Sequence, residues 1–319
     1  MRKNPKYRMK KKRNSSSLQP ISHYNIDAPT TACDNLRTMI SPLYVLFLLI
    51  KITIGVVALV VLMSFTVVWY ERANAHPELV ERRFTTRGVC VATWLLIQET
   101  ACLLLTILLR PFGWLQPQLP TVAQDVPPPV ILLHGLFQNR SCLFWLQHRL
   151  RAAGYRQIIS INTPPWRDLE TLTERLAKKV DELCINLRVE KVILVGHSMG
   201  GMIARNYVQN RGGAAYVSGM ITLGAPHHGS KLAPFALSPM GKTLLPGSAF
   251  LQQFNSVAWP QQTPAVSIYT RYDNMVLPAE SGRMDGSRAI ELDGMGHIAL
   301  LFHPRSLQAV IGALDNIIT

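Results

Sequence analysis

Two long apolar segments lie in the first third of the chain, and apolar runs alternate with amphipathic stretches through the remainder. The first segment, residues 43–69, carries Lys51 as its single charge. The second segment, residues 89–109, has Glu99 near its middle. Because about twenty apolar residues suffice for a helix to cross a bilayer, the pattern predicts a transmembrane helical hairpin within residues 42–110.

The two charges inside these segments fall at similar depths if the helices run antiparallel. At about 1.5 Å per residue, Lys51 lies about 12 Å from the start of the first helix and Glu99 about 15 Å from the end of the second. An ionised carboxylate in a bilayer is costly unless it is paired or protonated. We therefore predict that Lys51 and Glu99 neutralise one another. The alternative is a second helix that lies against the first or in the membrane interface.

The remainder of the chain follows a proline-rich stretch, residues 111–128, which is predicted to be a linker. The runs VILLHG, QIISIN, KVILVG, VSGMITLGAP, AVSIYT and RAIELDG are predicted to be strands. Between them lie helical patterns such as DLETLTERLAKKVDELCINL, whose leucines share one face. Continuous apolar strands that alternate with helices are typical of a parallel sheet covered on both faces. Residues 129–319 are therefore predicted to form an α/β domain with a mostly parallel sheet of about six strands.

A serine lies between glycines in the sequence VGHSMGG, directly after an apolar strand and before a helix. The pentapeptide from Gly196 to Gly200 matches the G-x-S-x-G elbow, which holds a nucleophilic serine on a strained strand-to-helix turn. The N-terminus of the following helix favours negative charge that develops there. The pattern predicts that Ser198 is a catalytic nucleophile, and the alternative is a tight turn without chemistry.

A serine hydroxyl needs a base, and the base needs an acid that orients it. In the fold that hosts this elbow, the three residues follow in the order serine, acid, histidine. His297 lies in a glycine-rich loop before the last helix, whereas His227 and His228 precede every acid-bearing strand end. Asp273 directly follows a strand, so we predict that it is the acid rather than Asp285, which lies in a predicted turn.

Two backbone amides are expected to stabilise the tetrahedral intermediate as an oxyanion hole. Met199 follows the nucleophile, and Leu136 follows the turn after the first strand. The adjacent Phe137 is predicted to contact the substrate. His134 and His197 are expected to shape the two turns.

An insertion at about residues 230–260 is rich in apolar side chains. We predict that it is a lid that presents an acyl-binding surface above Ser198, with contributions from Phe235, Leu237 and Leu244. The alternative is a cap that only packs against the domain.

Charge and cysteine content narrow the function further. The net charge is +14, and eight of the basic residues lie in the first thirteen positions of a polar tail, residues 1–41, that is predicted to be flexible. No nucleic-acid recognition motif accompanies them, so nucleic acid is not an expected partner. Positive charge beside a long apolar segment stays on the cytoplasmic side of a membrane.

The five cysteines show no CxxC spacing, which disfavours a zinc site or a disulfide framework.

The cluster of positive charge before the first apolar segment predicts an integral membrane protein with a cytoplasmic N-terminus. Two crossings return the catalytic domain to the cytoplasmic face, whereas a second segment that does not cross leaves it outside.

From about residue 130 onward the chain resembles the small bacterial triacylglycerol lipases, called lipase class 2, of the α/β-hydrolase superfamily. The stretches that carry the resemblance are VILLHG, KVILVGHSMGG, ITLGAPHHGS, SIYTRYDNMVLP and GMGHIALL. The resemblance implies an α/β-hydrolase fold with a catalytic triad and an oxyanion hole. The triad is Ser198, Asp273 and His297, and the oxyanion hole is formed by the amides of Leu136 and Met199.

Two departures from that family matter. Larger relatives bind calcium on aspartates, one of which follows the catalytic histidine, but HIALL has no acid there, so no metal and no cofactor are expected. Small secreted relatives also lack the apolar front third.

The sequence therefore predicts a membrane-anchored serine hydrolase, a lipase or carboxylesterase, that cleaves acyl esters of lipids through an acyl-enzyme. An acyltransferase or a lipid-remodelling deacylase would use the same triad. A catalytically silent membrane adaptor with this fold is a hypothesis of a different class.

Overall fold

The computed structural model describes residues 42–75, 85–115, 127–236 and 238–319. It divides into two units, one ending at Lys51 and the other running from Ile52 to Thr319. In the first unit, residues 42–51 are helical with every side chain exposed. The predicted basic tail and most of the predicted linker lie outside the described residues.

The two apolar segments form helices. Helix α1 spans Pro42–Ala75, and α2 spans Thr86–Leu109 and continues as a short 3-10 helix, Arg110–Trp114. Thr85 caps α2 by accepting a hydrogen bond from the amide of Gly88. Within the second unit the two helices pack through a cluster formed by Val61, Phe65 and Leu95. Both are long and apolar enough to cross a membrane by length and composition.

A six-stranded sheet forms the centre of the second unit. Its strands are β1 Val130–Leu133, β2 Ile158–Ile161, β3 Val192–His197, β4 Val217–Leu223, β5 Ala265–Thr270 and β6 Arg288–Leu292. Their order is β2-β1-β3-β4-β5-β6, and every pairing is parallel. The predicted parallel sheet of about six strands is confirmed.

Helices cover both faces of the sheet because alternate strand residues point to opposite sides. These helices are α3 Phe144–Ala152, α4 Leu169–Leu187, α5 Met199–Asn210 and α8 Pro304–Ile318. On one face α4 and α5 bury Ile131 and Leu133, and on the other α3 and α8 bury Val130 and Leu132. The insertion after β4 contains two short helices, α6 Pro239–Thr243 and α7 Ala249–Ser256.

The parallel arrangement determines where the site lies. In a parallel sheet all carboxyl ends meet at one edge, and ligands bind in the crevice outside that edge. The loops that follow β1, β3, β5 and β6 carry the residues proposed from the sequence for chemistry. All four loops therefore open toward the same edge.

Candidate active site

Ser198 occupies a strained turn between β3 and α5. Its backbone angles are φ 54° and ψ −124°, in a region that costs a non-glycine residue about 1–3 kcal/mol. The surrounding sheet maintains this conformation, since the amide of Ser198 donates to the carbonyl of Leu223 at 2.8 Å. The serine precedes the first residue of α5, so its side chain lies at the N-terminal end of that helix.

Two glycines make the close crossing at this turn feasible. A Cβ atom on Gly196 would lie less than 3.0 Å from the backbone of Gly201. A Cβ atom on Gly200 would lie less than 3.0 Å from the carbonyl of Leu133 at the end of β1. The obstructing atoms are backbone atoms in both cases, so neither position accepts a side chain without displacement of the strand or helix.

The loops after β5 and β6 bring an acid and a base together. His297 Nδ1 lies 2.9 Å from Asp273 Oδ2, and both side chains are buried. The other carboxylate oxygen of Asp273 accepts hydrogen bonds from the amides of Met275 at 2.8 Å and Val276 at 2.7 Å. Because a carboxylate accepts, the Nδ1 atom of His297 carries the hydrogen, and in the neutral ring Nε2 is left as the acceptor.

Charge around His297 favours its protonated form. Burial lowers the pKa of this histidine, but the charge and hydrogen bond of Asp273 and the charge of Glu99 outweigh burial, so the pKa lies above its usual value. His197 also faces the ring, with 4.7 Å between the ring centroids. The pair therefore has the electrostatics of a base that a neighbouring acid stabilises after proton uptake.

Glu99 holds the His297 loop from outside the α/β domain. Its buried carboxylate accepts hydrogen bonds from the amides of Ile298 at 2.6 Å and Ala299 at 3.1 Å. A Cβ atom on Gly296 would approach the Glu99 carboxylate to less than 3.0 Å, so a side chain at this position would require the carboxylate to shift. The structure thus gives Glu99 a partner other than the predicted Lys51, whose ammonium lies 4.3 Å from the ring centroid of Phe47.

Asn274 is a residue of the site that the sequence did not point out. Its Oδ1 atom accepts a hydrogen bond from the amide of His297 at 3.0 Å, and its Nδ2 atom donates to the hydroxyl of Ser64 at 2.9 Å. Asn274 therefore links the loop that carries His297 to α1. Only its position next to Asp273 could have pointed to it in the sequence.

Two buried histidines shape the turns, as the sequence predicts. His134 donates from Nδ1 to the carbonyl of Gly135 at 2.8 Å and accepts at Nε2 from the amide of Thr163 at 2.9 Å. Burial lowers the pKa of His134 to about 4, so the ring is neutral. His197 donates from Nε2 to the carbonyl of His297 at 3.2 Å, and burial places its pKa well below the usual value.

The other candidates for acid and base lie elsewhere. His228 has a half-exposed side chain and lies 3.6 Å from Asp285, whose carboxylate is largely exposed. His227 is buried, and its Nε2 atom lies 3.0 Å from the hydroxyl of Thr222. The structure therefore sets Asp273 beside His297 and Asp285 beside His228.

A cavity of about 710 Å³ connects these groups. Ser198 and His297 both line it, together with Leu136 and Met199, whose amides are the predicted oxyanion hole. Of the four predicted substrate contacts, three also line the cavity and one lies outside the described residues. Those lining it are Phe137, Phe235 and Leu244, and the fourth is Leu237.

The parallel sheet order and the strained strand-to-helix turn at Ser198 are those of the α/β-hydrolase fold. A family model for palmitoyl protein thioesterases matches residues 129–274. The structure is similar to a Bacillus licheniformis lipase in its mature form, with 20% sequence identity and a TM-score of 0.53, over 62% of this chain and 96% of that one. It is also similar to Aspergillus fumigatus lipase B, with 16% identity and a TM-score of 0.52, over 61% and 55% of the two chains.

Proposed function

We propose that this chain is a serine hydrolase that cleaves acyl esters of lipids. The observation that carries the proposal is the 2.9 Å contact between Asp273 and His297 at the wall of a cavity that Ser198 also lines. The strained backbone of Ser198 adds support, because such strain clusters at active sites.

The reaction follows from the positions of these groups. Ser198 Oγ attacks the acyl carbonyl carbon while His297 Nε2 takes the hydroxyl proton, and the carbonyl electron pair moves onto oxygen. The amides of Leu136 and Met199 stabilise that oxyanion. Its collapse expels the alcohol, which takes the proton from His297. Water then attacks the acyl-enzyme by the same route and releases the fatty acid and free Ser198.

The substrate class rests on the comparisons and on the cavity. Both lipases with similar structures support a carboxylic ester of a lipid, in line with the resemblance to small bacterial triacylglycerol lipases. The match to palmitoyl protein thioesterases favours a long-chain acyl thioester as a second candidate. The same serine chemistry serves both, since only the leaving group changes from an alcohol to a thiol.

Membrane anchoring is part of the proposal. Helices α1 and α2 expose many large apolar side chains, such as Leu59, Leu62, Trp94 and Leu108, that no other part of the described chain covers. Lipid would bury them. The basic N-terminal region places the first end of α1 on the cytoplasmic side.

Replacing the nucleophile tests the chemistry. We expect Ser198→Ala to lower hydrolysis of p-nitrophenyl butyrate in detergent by roughly 10⁴-fold or more, because the acyl-enzyme no longer forms. The matched control is Ser218→Ala at the start of β4, the strand end away from the candidate site, where the hydroxyl donates to the carbonyl of Val192 at 3.2 Å. A fluorophosphonate probe should label the wild type and the control but not Ser198→Ala.

Other outcomes of this experiment separate the alternatives. Near wild-type activity of Ser198→Ala would end the proposal, and an absence of labelling in the wild type would support a silent adaptor. Ester products formed from added alcohol acceptors would identify an acyltransferase.

Protease protection tests the membrane face. In sealed vesicles with the cytoplasmic face outward, we expect external protease to digest the catalytic domain without detergent, because two crossings return it to that face. Digestion that requires detergent would place the domain on the opposite side.

A further inference from the structure

The active-site cavity is walled partly by the two N-terminal helices. Val61 and Val67 of α1 and Leu103 and Ile107 of α2 line the same cavity as Ser198. Its volume of about 710 Å³ is within the range of roughly 300–1,000 Å³ that is usual for small-molecule sites. The helices therefore contribute directly to the space next to the proposed nucleophile.

The polar side chains of this wall are already satisfied within the protein. The hydroxyl of Ser64 donates to the carbonyl of Val61 at 2.8 Å and accepts from Asn274. The hydroxyl of Thr106 donates to the carbonyl of Leu103 at 2.8 Å. Both carboxylate oxygens of Glu99 accept backbone amides. What the helices offer to a ligand is consequently apolar surface.

The same wall continues onto the outer surface of the helices. Several residues line the cavity and are also substantially exposed, so they lie where the cavity meets the surface. On α1, α2 and the insertion they are Leu59, Val60, Met63, Ile107 and Phe235. All of them are apolar, and the neighbouring surface of α1 is apolar as well. One charged residue shares this position: Arg110, directly after α2, also lines the cavity and is exposed, and its guanidinium donates to the carbonyl of Phe137 at 3.0 Å. Along α1 and α2 themselves a ligand that enters here passes over hydrocarbon, which is the environment of a lipid acyl chain in a bilayer.

We propose that the acyl chain of a bilayer lipid lies between α1 and α2 against Ser198, and that the lipid enters from the membrane between these helices. The inference rests on the proposed function and specifies its substrate: the acyl chain binds the N-terminal helices, and the α/β domain supplies the chemistry. Long chains then bind better than short ones because each additional methylene is buried against α1 and α2.

Adjacent residues on each helix provide matched test positions. Met63 lines the cavity and is 51% exposed, whereas Leu62 is 40% exposed and is not part of the lining. On α2, Ile107 lines the cavity and is 38% exposed, whereas Leu108 is 71% exposed and is not part of the lining. A tryptophan in place of Met63 or Ile107 fills part of the cavity between α1 and α2. A tryptophan in place of Leu62 or Leu108 projects from the outer surface of its helix.

The experiment measures kcat/KM for p-nitrophenyl palmitate and p-nitrophenyl butyrate, with the full chain reconstituted in phosphatidylcholine vesicles. We expect the palmitate-to-butyrate ratio to fall by about tenfold in Met63→Trp and in Ile107→Trp, equivalent to the loss of roughly two buried methylene groups. In Leu62→Trp and Leu108→Trp the ratio should stay within about twofold of wild type.

Binding of the acyl chain between α1 and α2 would be refuted by a palmitate-to-butyrate ratio that is unchanged in all four variants. It would also be refuted by a ratio that falls equally in lining and control variants. Labelling of each variant by a short-chain fluorophosphonate separates misfolding from filling of the cavity, because a misfolded variant loses labelling as well. Ser198→Ala distinguishes a failure of the proposed hydrolase function from a failure of the proposed acyl-chain binding between α1 and α2. Hydrolysis of p-nitrophenyl butyrate by Ser198→Ala at the wild-type rate refutes the proposed function. An inactive Ser198→Ala together with an unchanged palmitate-to-butyrate ratio in the tryptophan variants refutes only the binding of the acyl chain between α1 and α2.

Discussion

At the scale of single residues, the two nitrogens of His297 have different roles. Asp273 accepts from Nδ1 at 2.9 Å, and its own position is held by the amides of Met275 and Val276. This arrangement leaves Nε2 as the acceptor, which is the atom that the proposed mechanism assigns to the proton of Ser198. Burial lowers the pKa of His297, but the charge of Asp273 raises it above its usual value, so the ring becomes neutral only at higher pH.

This arrangement predicts the pH profile of the enzyme. Activity requires neutral His297, whose pKa is raised above 6.5, so kcat/KM should fall as the pH drops through that raised pKa. Asp273→Asn removes the charge that raises it, so the acid limb should move to lower pH while the maximal rate falls by roughly 10⁴-fold. Hydrolysis of p-nitrophenyl butyrate measured across pH values tests both effects.

Asp285→Asn is the matched control for that substitution. Asp285 is largely exposed and lies beside His228, so its loss should change activity by less than about twofold. Equal losses in the two variants would show that Asp273 is not the orienting acid.

At the scale of the secondary-structure elements, the elbow depends on the distance between β1, β3 and α5. Gly200 faces the carbonyl of Leu133, and Gly196 faces the backbone of Gly201. The glycines around Ser198 are therefore required by close backbone approach. The elbow motif in the sequence reflects this packing requirement as well as the exposure of the serine.

Two glycine substitutions distinguish crowding from the intrinsic properties of glycine. Gly200→Ala should lower the stability by about 1–3 kcal/mol and reduce fluorophosphonate labelling, because the new methyl group meets the carbonyl of Leu133. Gly312→Ala in α8, where the new Cβ would lie more than 4 Å from every described residue outside its own stretch of helix, should raise the stability by about 0.5–1 kcal/mol. Thermal denaturation in detergent measures both, and a Gly200→Ala protein as stable as the wild type would contradict the packing argument.

At the scale of the whole molecule, α1 and α2 are bound to the loops of the candidate site. Glu99 binds the amides after His297, and Ser64 binds Asn274. The end of α2 is held as well, since Asn139 donates to the carbonyl of Arg110 at 2.8 Å. In the part of the chain from Ile52 onward, the apolar helices thus contact the loops that follow β6, β5 and β1, which carry His297, Asn274 and Asn139.

Substitution of Glu99 tests this support. Glu99→Gln leaves one of the two amides facing a side-chain NH₂ group, which costs about 1–3 kcal/mol, and should lower kcat for p-nitrophenyl butyrate by at least about tenfold. Lys51→Met should leave activity within about twofold of wild type, and combining it with Glu99→Gln should not restore the loss. Recovery in the double variant would instead support neutralisation of Glu99 by Lys51.

Local patterns were sufficient for the elements and for the elbow. Strands and helices follow from the spacing of apolar residues, and the predicted strands correspond to β1–β6. Chain order directed attention to Asp273 and His297 because both follow strand ends that a parallel sheet brings to one edge. The structure sets these two side chains in hydrogen-bonding contact, while their catalytic roles stay predictions until activity is measured.

The amino-acid sequence by itself determined the order of the elements, the strained turn at Ser198 and the apolar character of α1 and α2, because each depends on residues that are neighbours along the chain. The parallel sheet followed from the alternation of apolar strands with helices. The tertiary structure decided what those helices do. The hydrogen bond between Glu99 and Ile298 joins residues 199 positions apart, and the cavity wall combines α1, α2 and the insertion. Contacts of this kind leave no periodic pattern, because they arise only when the packed surfaces bring distant carboxylates and amides together.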